Sequence, residues 1–349
     1  MFIRDKKNKL AELLHQNGIL LALRAFLPKT LVCFSYHRIA SQGPRLFCSD
    51  VFGPSQTQFF EQMRLIKKYS HPISEEELID SVKTQKPLHP RSVLITFDDG
   101  YRDNYTLAYP VLRDLNIPAI FFIPTQLIQD KRLGWWDLIP YYIKSSFKNE
   151  ILLTGKRHKL ASDPEQRLSV IRAIQNQVKR LESDQTEEVL KALAIECKVQ
   201  PPSPAIQAAE IMTWSQIQEI SKSVVALGSH THSHRVLSTL SLAEQHREFV
   251  LSKQILEEQI QKPIRSIAYP VGGYDHFFSE TRQIAKSTGY ELGFSHLTGA
   301  NPIRLVDPYD VKRISVPARL SRFSCSLILP EFFAEALSDR AALRSVRTT

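Results

Sequence analysis

Val93-Leu94-Ile95-Thr96-Phe97-Asp98-Asp99-Gly100 is an apolar run closed by two adjacent carboxylates and a glycine. An apolar run of that length reads as a buried strand, and Gly100 permits a sharp exit from it. The end of a buried parallel strand is a costly place for two like charges. The cost falls when one carboxylate holds a cation and the other accepts a proton or pairs with a base. Six more strand-like runs lie around this one, at 31–36, 119–123, 224–229, 266–269, 292–295 and 312–316. Most are continuously apolar rather than alternating, as expected of a parallel sheet covered by helices on both faces.

Helical patterns fall between the runs. Phe59, Phe60, Met63 and Ile66 share one helical face, Ser74 with Glu77 makes a capping box ahead of Leu78 and Ile79, and 240–261 reads as a long polar-faced helix ended by Pro263. This alternation predicts an α/β fold. Seven strands suit an incomplete barrel better than a closed eight-stranded one. Polar residues follow the apolar runs at their C-terminal ends: His37, Asp98 and Asp99, Thr125, His230 and His234, Gly272, and His296. In α/β barrels the active site is built at that end. The stretch 134–210 breaks the alternation. It is helical in pattern and charged, with Trp135-Trp136-Asp137 at its head and Pro201-Pro202-Ser203-Pro204 near its tail. It reads as an insertion at the barrel rim. Trp135 and Trp136 either stack on a sugar ring or pin the insertion to the barrel.

Composition narrows the class. The 349 residues suffice for one large α/β domain or two smaller ones, and 43% hydrophobic with 23% charged residues is ordinary for a folded soluble protein. The net charge of +9 contains no dense basic run, so it serves solubility or an anionic lipid or glycan, and nucleic acid is not expected. The four cysteines form no CxxC pair, which argues against a zinc ribbon or a thioredoxin-type site. Cys33 and Cys325 read as buried thiols and suit a reducing compartment. The apolar run 18–27 is short and carries Arg24, so neither a secretory signal nor a membrane span, which takes about 20 mostly apolar residues, is expected. Residues 5–26 read as a basic amphipathic helix, which either packs on the domain or lies on an anionic membrane face. The expected organisation is an N-terminal helix over 1–30, a barrel over 31–320, and a C-terminal helix with a frayed tail over 321–349. The expected location is cytoplasmic or at the cytoplasmic membrane face.

Ser229-His230-Thr231-His232-Ser233-His234 supplies co-ligands for the acidic pair. Asp99, His230 and His234 make a two-histidine, one-carboxylate set that leaves positions open for water and substrate. A divalent cation there polarises a carbonyl oxygen and acidifies water, and Asp98 is left to take the proton.

Thr96-Phe97-Asp98-Asp99-Gly100 resembles the first motif, TFDDG, of the NodB-type polysaccharide deacetylases, carbohydrate esterase family four. His230-Thr231-His232-Ser233-His234 is similar to their second motif, H-(S/T)-x-x-H, and Ala268-Tyr269-Pro270-Val271-Gly272 resembles a variant of their third. The likeness runs over about 31–316. It implies a distorted seven-stranded (β/α) barrel and metal-dependent hydrolysis of an N-acetyl or O-acetyl group on a sugar. It implies Asp98 as catalytic base, Asp99, His230 and His234 as ligands of a divalent metal (zinc most often, sometimes cobalt), and the Val271 backbone N–H as an oxyanion donor. An acetylated carbohydrate is then the partner, with a peripheral membrane contact open and no protein partner indicated.

This chain departs from the family pattern in two places. Ala268 stands where an arginine usually orients the base, and Arg313 is a candidate substitute. The usual late Leu-x-His motif is missing near Leu327-Ile328-Leu329, which leaves His37 or His296 as general acid. Tyr269 and Trp135 are further candidate substrate contacts. Tyr36-His37-Arg38 and Met212-Thr213-Trp214 resemble segments of the bacterial envelope-polysaccharide members. The rival readings are a deformylase or deacetylase of a lipid-linked sugar at a membrane, a non-haem iron oxygenase, and a degenerate carbohydrate-binding barrel.

Overall fold

The computed structural model describes residues 9–13, 29–40, 46–160, 163–305 and 307–329. Most of the expected N-terminal amphipathic helix, and the tail beyond 329, lie outside the described residues. Ala11 is buried against Cys325 of the C-terminal helix Leu320–Ser326.

All seven apolar runs are strands, and they run parallel. They are β1 (Thr30–Tyr36), β2 (Ser92–Phe97), β3 (Ala119–Ile123), β4 (Val225–Ser229), β5 (Ser266–Ala268), β6 (Leu292–Phe294) and β7 (Ile314–Ser315). Their spatial order is β6-β5-β4-β3-β2-β1-β7. The segment leading into β7 also bonds back to the far edge. Val311 N–H donates to Gly293 at 2.9 Å and Ser295 N–H to Val311 at 3.1 Å, which draws the sheet into a distorted (β/α) barrel.

Strand periodicity sends alternate residues to opposite faces. Leu94, Ile120, Phe122 and Phe294 gather in one apolar cluster inside the curl, closed at the N-terminal ends of the strands by Leu78 and Ile79 of α2 (Glu75–Thr84). Val93, Ile95, Phe97 and Phe121 face the other way, against Phe59, Met63 and Ile66 of α1 (Gln56–Tyr69). Burying each such side chain contributes about 1.5–3 kcal/mol. Two local expectations need correction. Phe60 is exposed rather than on the buried face. Ser74 caps Glu77 N–H at 3.1 Å, but the Glu77 carboxylate turns to His71 at 3.2 Å, so only half of that capping box forms.

The insertion leaves the barrel between β3 and β4. Its helices are α3 (Trp135–Ser145), Pro164–Val178, Ser183–Cys197 and Pro204–Glu210, and Ile139, Ile143, Ile171, Ile174 and Leu193 join in an apolar cluster of its own. It is not wholly helical. Strands Glu150–Leu153 and Lys156–Lys159 form an antiparallel hairpin. Its two-residue turn, Thr154-Gly155, has φ 50° and 76°, the left-handed pair whose twist matches that of the flanking strands. Among the described residues no helix is long and apolar enough to cross a membrane.

Candidate active site

β2 delivers its two carboxylates to different neighbours. Thr96 and Asp98 continue the inward parity of Leu94. Asp99 then adopts φ 74° and Gly100 φ 68°, which reverses the chain. A side chain at Gly100 would meet Ile128 Cδ1 at 2.9 Å. Asp99 Oδ1 lies 3.4 Å from His230 Nε2 and 3.2 Å from His234 Nε2. Asp98 Oδ1 lies 2.7 Å from an Arg313 guanidinium nitrogen, and its Oδ2 lies 3.9 Å from His37 Nε2.

The histidine loop is shaped from below by α4 (Leu242–Ile260). Glu248 accepts from His232 N–H at 2.9 Å, Ser233 N–H at 2.8 Å and Ser233 Oγ at 2.6 Å. Thr231 and His234 take φ 62° and 58°. Val271, at φ 62°, and Asp99 join them, so four non-glycine residues at one rim sit in the left-handed region, two of them β-branched. Each such residue costs on the order of 1–3 kcal/mol, and strain of this kind clusters at functional sites.

The donor set fits a divalent cation. Asp99 Oδ1 and the Nε2 atoms of His230 and His234 lie within 4.8 Å of one another, all three residues buried. His230 Nδ1 donates to the Ala268 carbonyl at 2.8 Å. That leaves the lone pair of a neutral His230 Nε2 facing the lone pairs of Asp99. Lone pairs face each other in a buried site only across a cation or a shared proton. Three N and O ligands, one of them oriented by a carbonyl, are what zinc-type sites use. A second trio, His37, Asp98 and His296, also lies within 4.8 Å, but the guanidinium of Arg313 already supplies a positive charge there.

Burial by itself would raise both aspartates. For Asp98 the charges of Arg313, His230 and His37 outweigh it and bring the carboxyl down to about 2. For Asp99 the contacts with His230 and His234, with the charges of His37 and His234, outweigh it and hold the carboxyl well below the usual carboxylate range. Both are ionised at neutral pH. Burial lowers His234, while the charges of Asp98 and Asp99 overcome burial and raise His230.

Arg313 reaches Asp98 from just before β7. It is fully buried, and it also donates to Ser295 O at 2.9 Å and Thr96 Oγ1 at 3.2 Å. His37 is partly exposed at the rim, its carbonyl held by Asn104 Nδ2 at 2.7 Å. His296 is bonded through Nε2 to Ser315 Oγ at 3.0 Å, and desolvation with the charges of Arg313 and His37 lowers it to about 3. Val271 N–H has no acceptor among the described residues. Gly272, at φ 59°, is required beside it, since a Cβ there would lie 2.7 Å from His296 N.

One aromatic expectation changes, and another gains detail. Tyr269 is fully buried and its hydroxyl donates to Tyr309 O at 2.9 Å, so it is not open to substrate. Trp135 is half-buried, edge-on to Trp136, whereas Trp136 is buried against His234. Residues to which the sequence reading gave no role include Tyr101, Asp137, Asn104, Glu248 and Arg38. Arg38 bonds Asp103 at 2.9 Å and Glu210 of the insertion, with its guanidinium 4.4 Å from the Tyr101 ring. Tyr101-Arg102-Asp103-Asn104 follows the acidic motif directly, and this polar run beyond a strand end was the available signal.

Known proteins share this arrangement of strands. PplD, a Streptococcus pyogenes deacetylase solved with acetate, superposes with TM-score 0.57 at 18% identity over 86% of this chain and 99% of that one. IcaB from Ammonifex degensii gives TM-score 0.54 at 19% identity over 89% and 99%. These likenesses concern the fold. In sequence, the chain is 25% identical over 210 residues to YxkH of Bacillus subtilis, a protein named for polysaccharide deacetylation. That match covers 60% of this chain and 46% of YxkH, so the chain spans less than half the length of that relative. Over 50 residues the chain is 36% identical to the poly-beta-1,6-N-acetyl-D-glucosamine N-deacetylase of Escherichia coli, 14% of this chain and 7% of that one. The polysaccharide deacetylase family model matches residues 85–293, a span that holds all three motif stretches, and the chain belongs to that family of hydrolytic enzymes.

Proposed function

We propose that this chain removes N-acetyl groups from an acetylated sugar or polysaccharide, with a divalent cation, zinc above all, held by Asp99, His230 and His234. The observation that carries the reading is the division of the acidic pair, Asp99 toward two imidazoles and Asp98 toward Arg313 and His37. When bound, the cation supplies Lewis acidity toward the acetyl carbonyl and acidifies water.

The remaining work falls to the chain's own groups. Asp98, ionised at neutral pH, accepts the proton of the water that attacks the acetyl carbon. Arg313 holds Asp98 Oδ1 and leaves Oδ2 for that task. The N–H of Val271 donates to the oxygen that gains negative charge as the carbonyl becomes tetrahedral. The C–N bond then breaks, the sugar nitrogen takes a proton, and acetate leaves. His37 is assigned as donor of that proton because it is partly exposed and faces Asp98. His296 is tied to Ser315 and too weakly basic to carry a proton at neutral pH. Against the degenerate reading, Arg313 and His37 both lie beside Asp98 and supply a positioning cation and a proton donor for the proposed reaction.

The expected substrates are N-acetylated glycans, and the E. coli relative's name makes an N-acetylglucosamine polymer the first to try. Acetate release from a panel of acetylated glycans, with chelator and with added divalent metals, tests the proposal. Release that the chelator abolishes and zinc restores is expected. Release that is insensitive to chelator, or absent on every glycan, would contradict it.

A further inference from the structure

The two imidazoles beside Asp99 are held in unlike ways. A metal-ligating histidine as a rule donates its second ring N–H to a carbonyl, carboxylate or water, which fixes the ring. His230 does so through Ala268 O at 2.8 Å. His234 Nδ1 is buried with no hydrogen-bond partner among the described residues. Packing fixes its ring instead: the indole of Trp136 lies 4.0 Å away between centroids, tilted 41°.

That indole is itself locked. Its Nε1 donates to the Tyr101 hydroxyl at 2.6 Å, Tyr101 donates to Asp137 Oδ2 at 2.7 Å, and Asp137 Oδ1 accepts from Cys48 N–H at 2.8 Å. All three side chains are buried. Gly134 makes room for the ring, since a Cβ there would fall 2.3 Å from it. Tyr101 comes from the barrel, just past the acidic pair, while Trp136 and Asp137 begin α3, the head of the insertion. Indole cannot ligate a cation, but it packs directly on the buried His234 ring.

We propose that Trp136 is a positioning residue for His234, and that the Trp136–Tyr101–Asp137 chain makes the insertion a structural part of the cation's grip. The inference rests on His234 being a metal ligand, as in the proposed function. It adds that the insertion is required for that ligand to bind well.

The test is Co2+ binding by the full chain, read by competition with a chromophoric chelator and by the visible absorption of the bound ion, independent of turnover. Trp136→Leu is expected to weaken Co2+ about 10- to 100-fold, the range typical of lost ligand support, and to alter the absorption band. Trp136→Phe, which restores a ring, recovers part of the loss. Tyr101→Phe removes one oxygen atom and weakens Co2+ less than Trp136→Leu. Thermal melting without cation checks that each variant folds, and if Trp136→Leu does not, Tyr101→Phe carries the test. Folded variants that bind Co2+ within twofold of the parent, with an unchanged band, would overturn the inference while leaving the metal site intact. A parent protein that takes up no Co2+ would overturn the ligand assignment itself, and the inference with it.

Discussion

Replacing Arg313 by methionine probes the contact that supports the base assignment. Arg313 and Asp98 are both buried, with 2.7 Å between guanidinium nitrogen and carboxylate oxygen. Removing one partner of a buried ion pair costs about 3–5 kcal/mol, because the other charge is stranded. The lost bonds to Ser295 O and Thr96 Oγ1 add about 1 kcal/mol each. Asp98→Asn strands the guanidinium instead and should cost about 2–3 kcal/mol, since the amide still accepts a bond. Independent effects would sum to about 7 kcal/mol or more in the double variant. That variant buries no charge, so it should lose only about 4 kcal/mol, a coupling energy of about 3 kcal/mol. Urea unfolding of the four proteins with chelator present reads the cycle without any contribution from bound cation. Additivity within about 0.5 kcal/mol would mean that the two groups act independently, and the positioning of Asp98 by Arg313 would have to be abandoned.

Other expectations concern single groups. His37→Gln should lower kcat by about 10²–10⁴ with cation content unchanged, and His296→Gln should lower it far less; the reverse order would move the acid role to His296. Glu248→Gln weakens the one carboxylate that accepts three bonds from the histidine loop. Chelator competition should show looser cation binding, with a stability loss of about 1–3 kcal/mol, and unaltered binding would show that the loop holds its shape unaided. At the opposite end of the barrel, burial pushes the Glu75 carboxyl up to about 7, despite a hydrogen bond from Ser266. The fold therefore favours the protonated form. That stabilisation is complete below about pH 4.5 and lost as pH rises through about 7. Unfolding free energy should fall across this window, and Glu75→Gln should flatten the fall; an identical slope in the variant would contradict this.

Much of the fold could be read along the chain because buried parallel strands are continuous apolar runs. 93–97 and 119–123 have no polar face to confuse with a loop, and each of the seven runs is a strand. The hairpin at Glu150–Leu153 and Lys156–Lys159 was hidden within a charged, helix-like stretch, its only marker the turn at Thr154-Gly155. The candidate ligands were legible because Asp99, His230 and His234 sit directly after strand ends. Partners that meet only through barrel closure were harder. Arg313 lies 215 residues from Asp98 in sequence, and no spacing rule connects them. Trp135 and Trp136 are adjacent, and only the path of α3 decides which one is buried against His234. Tyr269 sits within a motif, yet the outcome of strand parity and packing against Phe277 turns it into the core.

The central claim is that neighbouring carboxylates divide the work, one gripping a cation and the other accepting a proton. It is tested most directly by measuring bound metal and acetate release together in Asp98→Asn and Asp99→Asn, with an N-acetylglucosamine oligomer as substrate. Asp98→Asn should keep about one cation per chain and lose acetate release by about 10²–10⁴. Asp99→Asn should lose the cation itself. Equal metal loss in both variants, or undiminished release from Asp98→Asn, would contradict that division.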